Sequence, residues 1–339
     1  MSLVAIVFTG GTISMRHDPA AGGNLPTLDG AALLALVPGL DEIAQVVAID
    51  RGLTPASHFS FTDLFAIAST VREQLADPSI DGCVVVQGTD TIDETAFFWD
   101  LVVDSRKPIV VTGAMRSASQ PGYDGPANIR DAVSAAASPA LLGQGVVVLL
   151  AGSIDAADDV TKTHTSSLET FRSLNAGPLG RVERDRVVVL RRRAGTRHVE
   201  TTRAAERVAL ITAHVALDRQ LVDGLIDGLM ASGVDGLVIE ATGAGNTSAD
   251  LLEAAKRAIS VGIPVALTTR VPAGQATDAY AFPGGGATWV RAGALLTGHL
   301  GGPKARIALS LGIGAGLDRA GLAALLADPP PDAGVSSRP

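Results

Sequence analysis

Three short stretches carry side chains able to do chemistry together. The segment Thr9-Gly10-Gly11-Thr12-Ile13-Ser14 follows directly on the apolar run 4–8. Glycines at 10 and 11 let the backbone turn tightly and let a ligand approach main-chain N–H groups, which sets the Thr12 hydroxyl over a potential oxyanion site. The competing reading is an ordinary Gly-Gly turn whose threonines satisfy backbone groups. A dinucleotide site is a weaker expectation, because Gly-x-Gly-x-x-Gly is absent there. A second stretch, Gln87-Gly88-Thr89-Asp90-Thr91-Ile92-Asp93-Glu94-Thr95, follows the apolar run 83–86 and brings another threonine and a carboxylate to a strand end. Asp90 or Thr91 can equally cap a helix, with Asp93 and Glu94 complementing its dipole. That reading accounts for Asp93 and Glu94 and need not account for Thr89 and Asp90. The third stretch, Asp158-Asp159-Val160-Thr161-Lys162-Thr163-His164-Thr165, holds one of the few lysines in an arginine-rich chain, the others being Lys107, Lys256 and Lys304. Arginine keeps its proton, whereas a desolvated lysine can release it, so a general base drawn from these two types must be lysine. The alternative for Lys162 is a solvated loop charge paired with Asp159.

These groups need a frame, and the sequence supplies one. Runs 4–8, 46–49, 83–86, 109–112 and 146–150 are apolar without alternation, as strands covered by helices on both faces must be. Between them, 61–75, 93–103 and 126–137 repeat apolar residues at helical spacing. Ser60 or Thr62 can cap the first of these, and Asp124-Gly125-Pro126 feeds proline into a helical first turn. Around position 190 the rhythm stops in a polar stretch and then restarts, with strands expected at 208–212, 236–240 and 265–268 and helices at 220–231 and 248–260. The expected fold is α/β in two domains, each a three-layer parallel-sheet unit, the N-terminal one larger. Residues 1–190 form the catalytic domain in this reading, 191–206 a linker and 207–328 the second domain. The proline-rich end, 329–339, is expected to be disordered because it has little apolar surface to bury.

Composition narrows the function. The chain has 339 residues, 47% of them hydrophobic, and a formal charge of −8, with no basic run longer than Arg191-Arg192-Arg193. A surface that tracks phosphates is not expected, and neither is a nucleic-acid partner. The single cysteine, Cys83, lies in the apolar run Cys83-Val84-Val85-Val86, so it reads as a buried hydrophobe and excludes a disulfide within the chain. The histidines at 17, 58, 164, 198, 214 and 299 show no metal-ligand spacing, so no metal is expected. No stretch offers about 20 uninterrupted apolar residues. The start lacks the basic, apolar and cleavage regions of a signal peptide. A soluble, cytoplasmic protein with no membrane contact is the expectation.

The strings FTGGTIS, QGTDTIDETA, KPIVVTGAMR and DDVTKTHT, with GAGNTS further on, resemble the bacterial-type L-asparaginase and glutaminase-asparaginase family. Their order and spacing match from residue 4 to about 325. The resemblance implies an amidohydrolase with threonine nucleophilic catalysis, an amino-acid amide as substrate and no cofactor. In that reading Thr12 is the first nucleophile, releasing ammonia and leaving an acyl-enzyme that water then cleaves. Thr89, Asp90 and Lys162 form a second constellation in which the lysine draws the threonine proton, while the carboxylate orients the set and binds the substrate's α-amino group. Gly11, Gly88 and the Thr89 backbone lie close to the substrate. Ser57 in Pro55-Ala56-Ser57-His58 holds its α-carboxylate, and Asn246 in Gly243-Ala244-Gly245-Asn246 reaches toward a neighbouring subunit's site. A homo-oligomer, a dimer of dimers, follows from the same resemblance.

The chain departs from the family in two places. Members commonly carry a tyrosine on the mobile segment after the nucleophile, and 15–26 contains none; the only tyrosines, Tyr123 and Tyr280, are far from it in sequence. His17 or Asp18 can stand in, although both also read as solvated loop residues. The stretch Arg270-Val271-Pro272-Ala273-Gly274-Gln275-Ala276-Thr277-Asp278-Ala279-Tyr280 lacks the glutamate that many members supply to a partner subunit, leaving Asp278 or Tyr280 as substitutes. An amino-acid-binding or sensing protein of the same fold is the alternative, although a pure binder has no need of a neutral lysine. The amidase component of an aminoacyl-tRNA amidotransferase fits less well with the acidic balance.

Overall fold

The parallel part of the main sheet is built from the strands that the sequence marks as apolar on both faces. In the computed structural model, which describes residues 1–329, the first unit spans Met1–Thr196. Its elements run β1 (Ser2–Phe8), β2 (Met15–Asp18), β3 (Gly23–Pro26), α1 (Gly30–Leu34), β4 (Ala44–Asp50), α2 (Phe61–Ala76), β5 (Gly82–Val86), α3 (Ile92–Val102), β6 (Ile109–Thr112), α4 (Gly125–Ala136) and β7 (Val146–Leu150). Five short strands complete it: β8 (Ser153–Ala156), β9 (Val160–Lys162), β10 (Phe171–Ser173), β11 (Gly180–Glu183) and β12 (Arg186–Val189). The eight-stranded sheet has the order β12-β11-β8-β7-β6-β5-β1-β4.

Neighbours from β4 to β7 pair in parallel, and β8, β11 and β12 add an antiparallel extension. That extension and the β2–β3 hairpin were not expected from the sequence, because strands of three or four residues are too short to show a period. Every residue of β5, β6 and β7 is buried. The helices repeat the sequence reading closely. Ser60, not Thr62, caps α2, in a reciprocal box: its hydroxyl accepts the Asp63 N–H at 3.2 Å while Asp63 accepts the Ser60 N–H at 2.8 Å. In α3, Phe97, Phe98 and Trp99 are fully buried, and Trp99 Nε1 donates to the Leu64 carbonyl at 3.1 Å.

The connections decide where a ligand fits. From β1 the chain moves to β4 at the sheet edge, then returns to β5 on the other side of β1. Such a reversal opens a crevice beyond the carboxyl ends of the two strands, here β1 and β5.

The second unit begins at Arg197. It contains β13 (Val208–Thr212), α5 (Arg219–Ala231), β14 (Gly236–Ala241), α6 (Ala249–Ser260), β15 (Val265–Thr269), α7 (Gly286–Ala292), β16 (Leu295–Leu296), α8 (Gly302–Gly314) and α9 (Arg319–Leu326). Its strands form a parallel sheet in simple sequence order. The segment expected as a linker is well anchored. Arg193 is buried, with Nη1 and Nη2 each 2.8 Å from the Asp100 carboxylate and Nη2 2.9 Å from Asp158. Arg197 and Val199 are buried as well. Positions 330–339 of the expected disordered tail lie outside the described residues. Among the described residues no helix is long and apolar enough to cross a membrane.

Candidate active site

The end of β1 is tied to the end of β5 before either loop begins: the Thr9 N–H and hydroxyl both donate to the Val86 carbonyl, at 3.0 and 3.1 Å. The chain then passes through Gly10 and Gly11 at φ 104° and 95°, a region that L side chains avoid. A methyl group on Gly11 would fall 2.2 Å from both Cα and N of Gly88, so the two loops meet backbone to backbone. Thr12 follows at the start of a 3-10 turn, Thr12–Ser14, which the Ser14 N–H closes onto the Gly11 carbonyl at 2.9 Å. Ile13 and Ser14 are buried, while Thr12 is half-buried and its hydroxyl has no hydrogen-bond partner among the described residues.

Beyond β5, Gln87 is fully buried and fastens the next turn by donating from Nε2 to Thr95 Oγ1 at 2.7 Å. Thr89 is 4% exposed. It fits because Gly113, just past β6, has no side chain; a methyl there would fall 3.1 Å from Thr89 Cγ2 and 2.5 Å from the Gln87 carbonyl oxygen. Lys162, the last residue of β9, completes the group. Its Nζ donates to Thr89 Oγ1 at 3.1 Å and to Asp90 Oδ1 at 2.8 Å. The Lys162 side chain is 16% exposed and that of Asp90 is 77% exposed, so the carboxylate faces outward and the amine inward.

Lys162 is therefore not the solvated partner of Asp159. Asp159 instead accepts the N–H and Nδ2 of Asn175 and the N–H of Ala176, at 3.1, 3.0 and 2.9 Å. Thr91 does occupy the N-cap position of α3, but its hydroxyl donates to the Ala56 carbonyl at 3.3 Å rather than capping the helix. Asp93 does more than complement the helix dipole, because it accepts the backbone N–H of Lys162 at 3.3 Å. Nothing in the sequence marks this second bond of Asp93, because no local pattern signals a partner 69 residues away.

Other expected site residues fall less centrally. Ser57 lies in the exposed part of the 3-10 turn Ala56–His58. In that turn it is the buried Ala56 that faces the site loop, since a methyl on Gly88 would sit 3.2 Å from the Ala56 Cβ. Asn246 belongs to the second unit, in a loop closed by paired main-chain bonds to Thr242, both 2.9 Å, and its buried Oδ1 has no hydrogen-bond partner among the described residues. In the hairpin after Thr12, Asp18 accepts the Ala20 and Ala21 amides, and His17 donates its N–H to Ser119 Oγ. Tyr123 comes to the same region from 110 residues away, donating from Oη to the Ile13 carbonyl at 2.6 Å.

Sheet topology and site geometry define an α/β enzyme of two units, with its polar group at the switch point of the larger sheet. The family description "Asparaginase, N-terminal" matches residues 3–195, and "Glutaminase/Asparaginase C-terminal domain" matches 207–326, so the chain belongs to the asparaginase family, hydrolases of amide C–N bonds. It is 34% identical to a probable L-asparaginase of Deinococcus radiodurans, over 93% of this chain and 94% of that one. It is 30% identical to an L-asparaginase of Bacillus licheniformis, over 91% and 94%, and 30% identical to L-asparaginase 2 of Escherichia coli, over 91% and 88%.

Proposed function

We propose that the protein hydrolyses L-asparagine to aspartate and ammonia, with glutamine as a second substrate, through a threonine acyl-enzyme. The observation that carries this reading is the Lys162 amine, inward-facing and bonded at once to Thr89 and Asp90, residues whose own turn is in backbone contact with the turn that bears Thr12. Thr12 Oγ1 attacks the side-chain amide carbon, the C–N bond breaks, and the nitrogen leaves as ammonia carrying the proton that the Thr12 hydroxyl gave up. Water then cleaves the ester on Thr12 and frees the second carboxylate. Lys162 in its neutral form takes the Thr89 proton, which makes Thr89 the relay between the amine and the reacting water or amide. Asp90 holds the lysine through one oxygen, and its exposed carboxylate suits the α-ammonium of an amino acid. Gly11 and Gly88 supply the close-approaching backbone, and Ser57 the α-carboxylate contact.

The same reading includes a cytoplasmic homo-oligomer, a dimer of dimers in which Asn246 completes a neighbour's pocket and Asp278 or Tyr280 replaces the missing glutamate. Ammonia release from purified protein, with asparagine and glutamine in turn, tests the activity. Mass spectrometry after trapping with a reactive amide analogue should place the adduct on Thr12, and Thr12→Ala should remove both adduct and turnover. An adduct on Thr89 with Thr12→Ala still active would reassign the nucleophile. Absence of both adduct and ammonia with any amide would favour an amino-acid-binding protein. Sedimentation of an active monomer would exclude the oligomer.

A further inference from the structure

The loop between β6 and α4 crosses the segment that follows β1 and grips it at three points. Tyr123 Oη donates to the Ile13 carbonyl at 2.6 Å, the Ala118 N–H donates to the Met15 carbonyl at 3.0 Å, and Ser119 Oγ accepts the His17 N–H at 3.0 Å. The loop is itself well braced. The Asp124 carboxylate accepts the N–H groups of Met115 and Arg116 and Nδ2 of Asn128, at 3.0, 2.9 and 3.0 Å. Arg116 Nη1 closes the far side on the carbonyls of Pro121 and Gly122. The Tyr123 ring packs against the main core of the first unit and occupies space that Gly125 leaves free: a methyl there would fall 2.4 Å from Cζ and Oη. Burial, and then the Asp124 charge, push the phenol's pKa upward, which keeps its proton available for donation. That proton is directed at a carbonyl and not at the Thr12 hydroxyl, so Tyr123 has no acid–base part.

We infer that Tyr123 is the positioning residue of the nucleophile: it fixes the Ile13 carbonyl, in the second peptide after Thr12, and does for the 3-10 turn what no tyrosine in 15–26 can do. A 3-10 turn of three residues has poor intrinsic stability, and this one has no side-chain cap. An outside donor on its central carbonyl therefore decides how narrowly Thr12 Oγ1 is held. The inference rests on reading Thr12 as the nucleophile.

Tyr123→Phe keeps the ring and removes the donor. The expected result is a kcat about tenfold lower, a scale set by the loss of one well-placed hydrogen bond, with KM for asparagine unchanged. Hydrogen exchange followed by mass spectrometry should show faster exchange in 9–17 and unchanged exchange in 109–112. Wild-type kcat in Tyr123→Phe overturns the proposal. A kcat loss with unaltered exchange in 9–17 overturns it too, as does faster exchange spread through β5 and β6, which would make the tyrosine a residue of the fold alone. If the wild-type protein releases no ammonia from any amide, the amidohydrolase reading is what fails, and the exchange in 9–17 still decides whether Tyr123 holds the turn.

Discussion

Gly11 and Gly88 touch main chain to main chain, with no room for a methyl group between them: one placed on Gly11 would be 2.2 Å from Gly88 Cα and 2.8 Å from the Gln87 carbonyl carbon. This contact joins the loop after β1 to the loop after β5. It sets the turn that bears Thr12 against the turn that bears Thr89 and Asp90.

Gly11→Ala should therefore separate the loops and lower ammonia release by about 100-fold or more, the scale of an ångström-sized misplacement. Gly52→Ala is the control, because Gly52 has a similar φ of 96° with nothing within 4 Å of the added methyl. Both variants bear the backbone cost of a side chain at positive φ, and only the first bears the collision. Equal activity in the two would remove the loop contact from the account.

Much of this frame was legible in the sequence for a plain reason. Strands such as β5, β6 and β7, buried on both faces, leave uninterrupted apolar runs, and Ser60 sits one residue before a helical period begins. What was not legible is short or distant. β8 to β12 lack the length to show alternation, and α8 is buried around nearly its whole circumference and so has no polar stripe to mark it. Lys162 is visible as a rare residue among threonines, but its choice of Asp90 over Asp159, three residues before it, depends on where β9 places it. Tyr123 is far from Ile13 in sequence, and bonds between loops of different βα units leave no periodic trace.

Lys162→Arg keeps a cation near Asp90 and removes the amine that the proposed mechanism uses as the base for Thr89. Ammonia release should fall by about 10²- to 10⁴-fold, the usual contribution of a general base. The fold should be little affected, since the pair with the largely exposed Asp90 contributes little to stability. Near-wild-type turnover in Lys162→Arg would reduce the lysine to a structural charge.

Arg193 carries a different kind of weight. Its side chain is 4% exposed and that of Asp100 is 1% exposed, and Asp100 also accepts the Val146 N–H at 2.8 Å. Arg193→Met would deprive two inward carboxylates, Asp100 and Asp158, of this cation. A loss of about 3 to 5 kcal/mol is expected from leaving a buried charge uncompensated. Urea unfolding measures it, and adding Asp100→Asn should recover part of the loss. If the double variant is as unstable as the sum of the single ones, the pairing is not the cause.

Asp131, on α4, gives the fold a pH dependence. Burial, then the nearby negative charge of Asp185, push its pKa up to about 6, against the opposing pull of Arg130. The native protein thus holds this proton between about pH 4 and 6, where the unfolded chain has released it. Stability from this group is fully present below that window and is lost as pH rises through it; above it, the native state carries a carboxylate that its surroundings disfavour. Asp131→Asn mimics the protonated form at every pH. The variant should match wild type at pH 4 and melt higher at pH 8, by a shift on the order of a few degrees for a unit of this size. Thermal unfolding at the two pH values decides it, and an equal shift at both would show that the effect comes from packing and not from the charge.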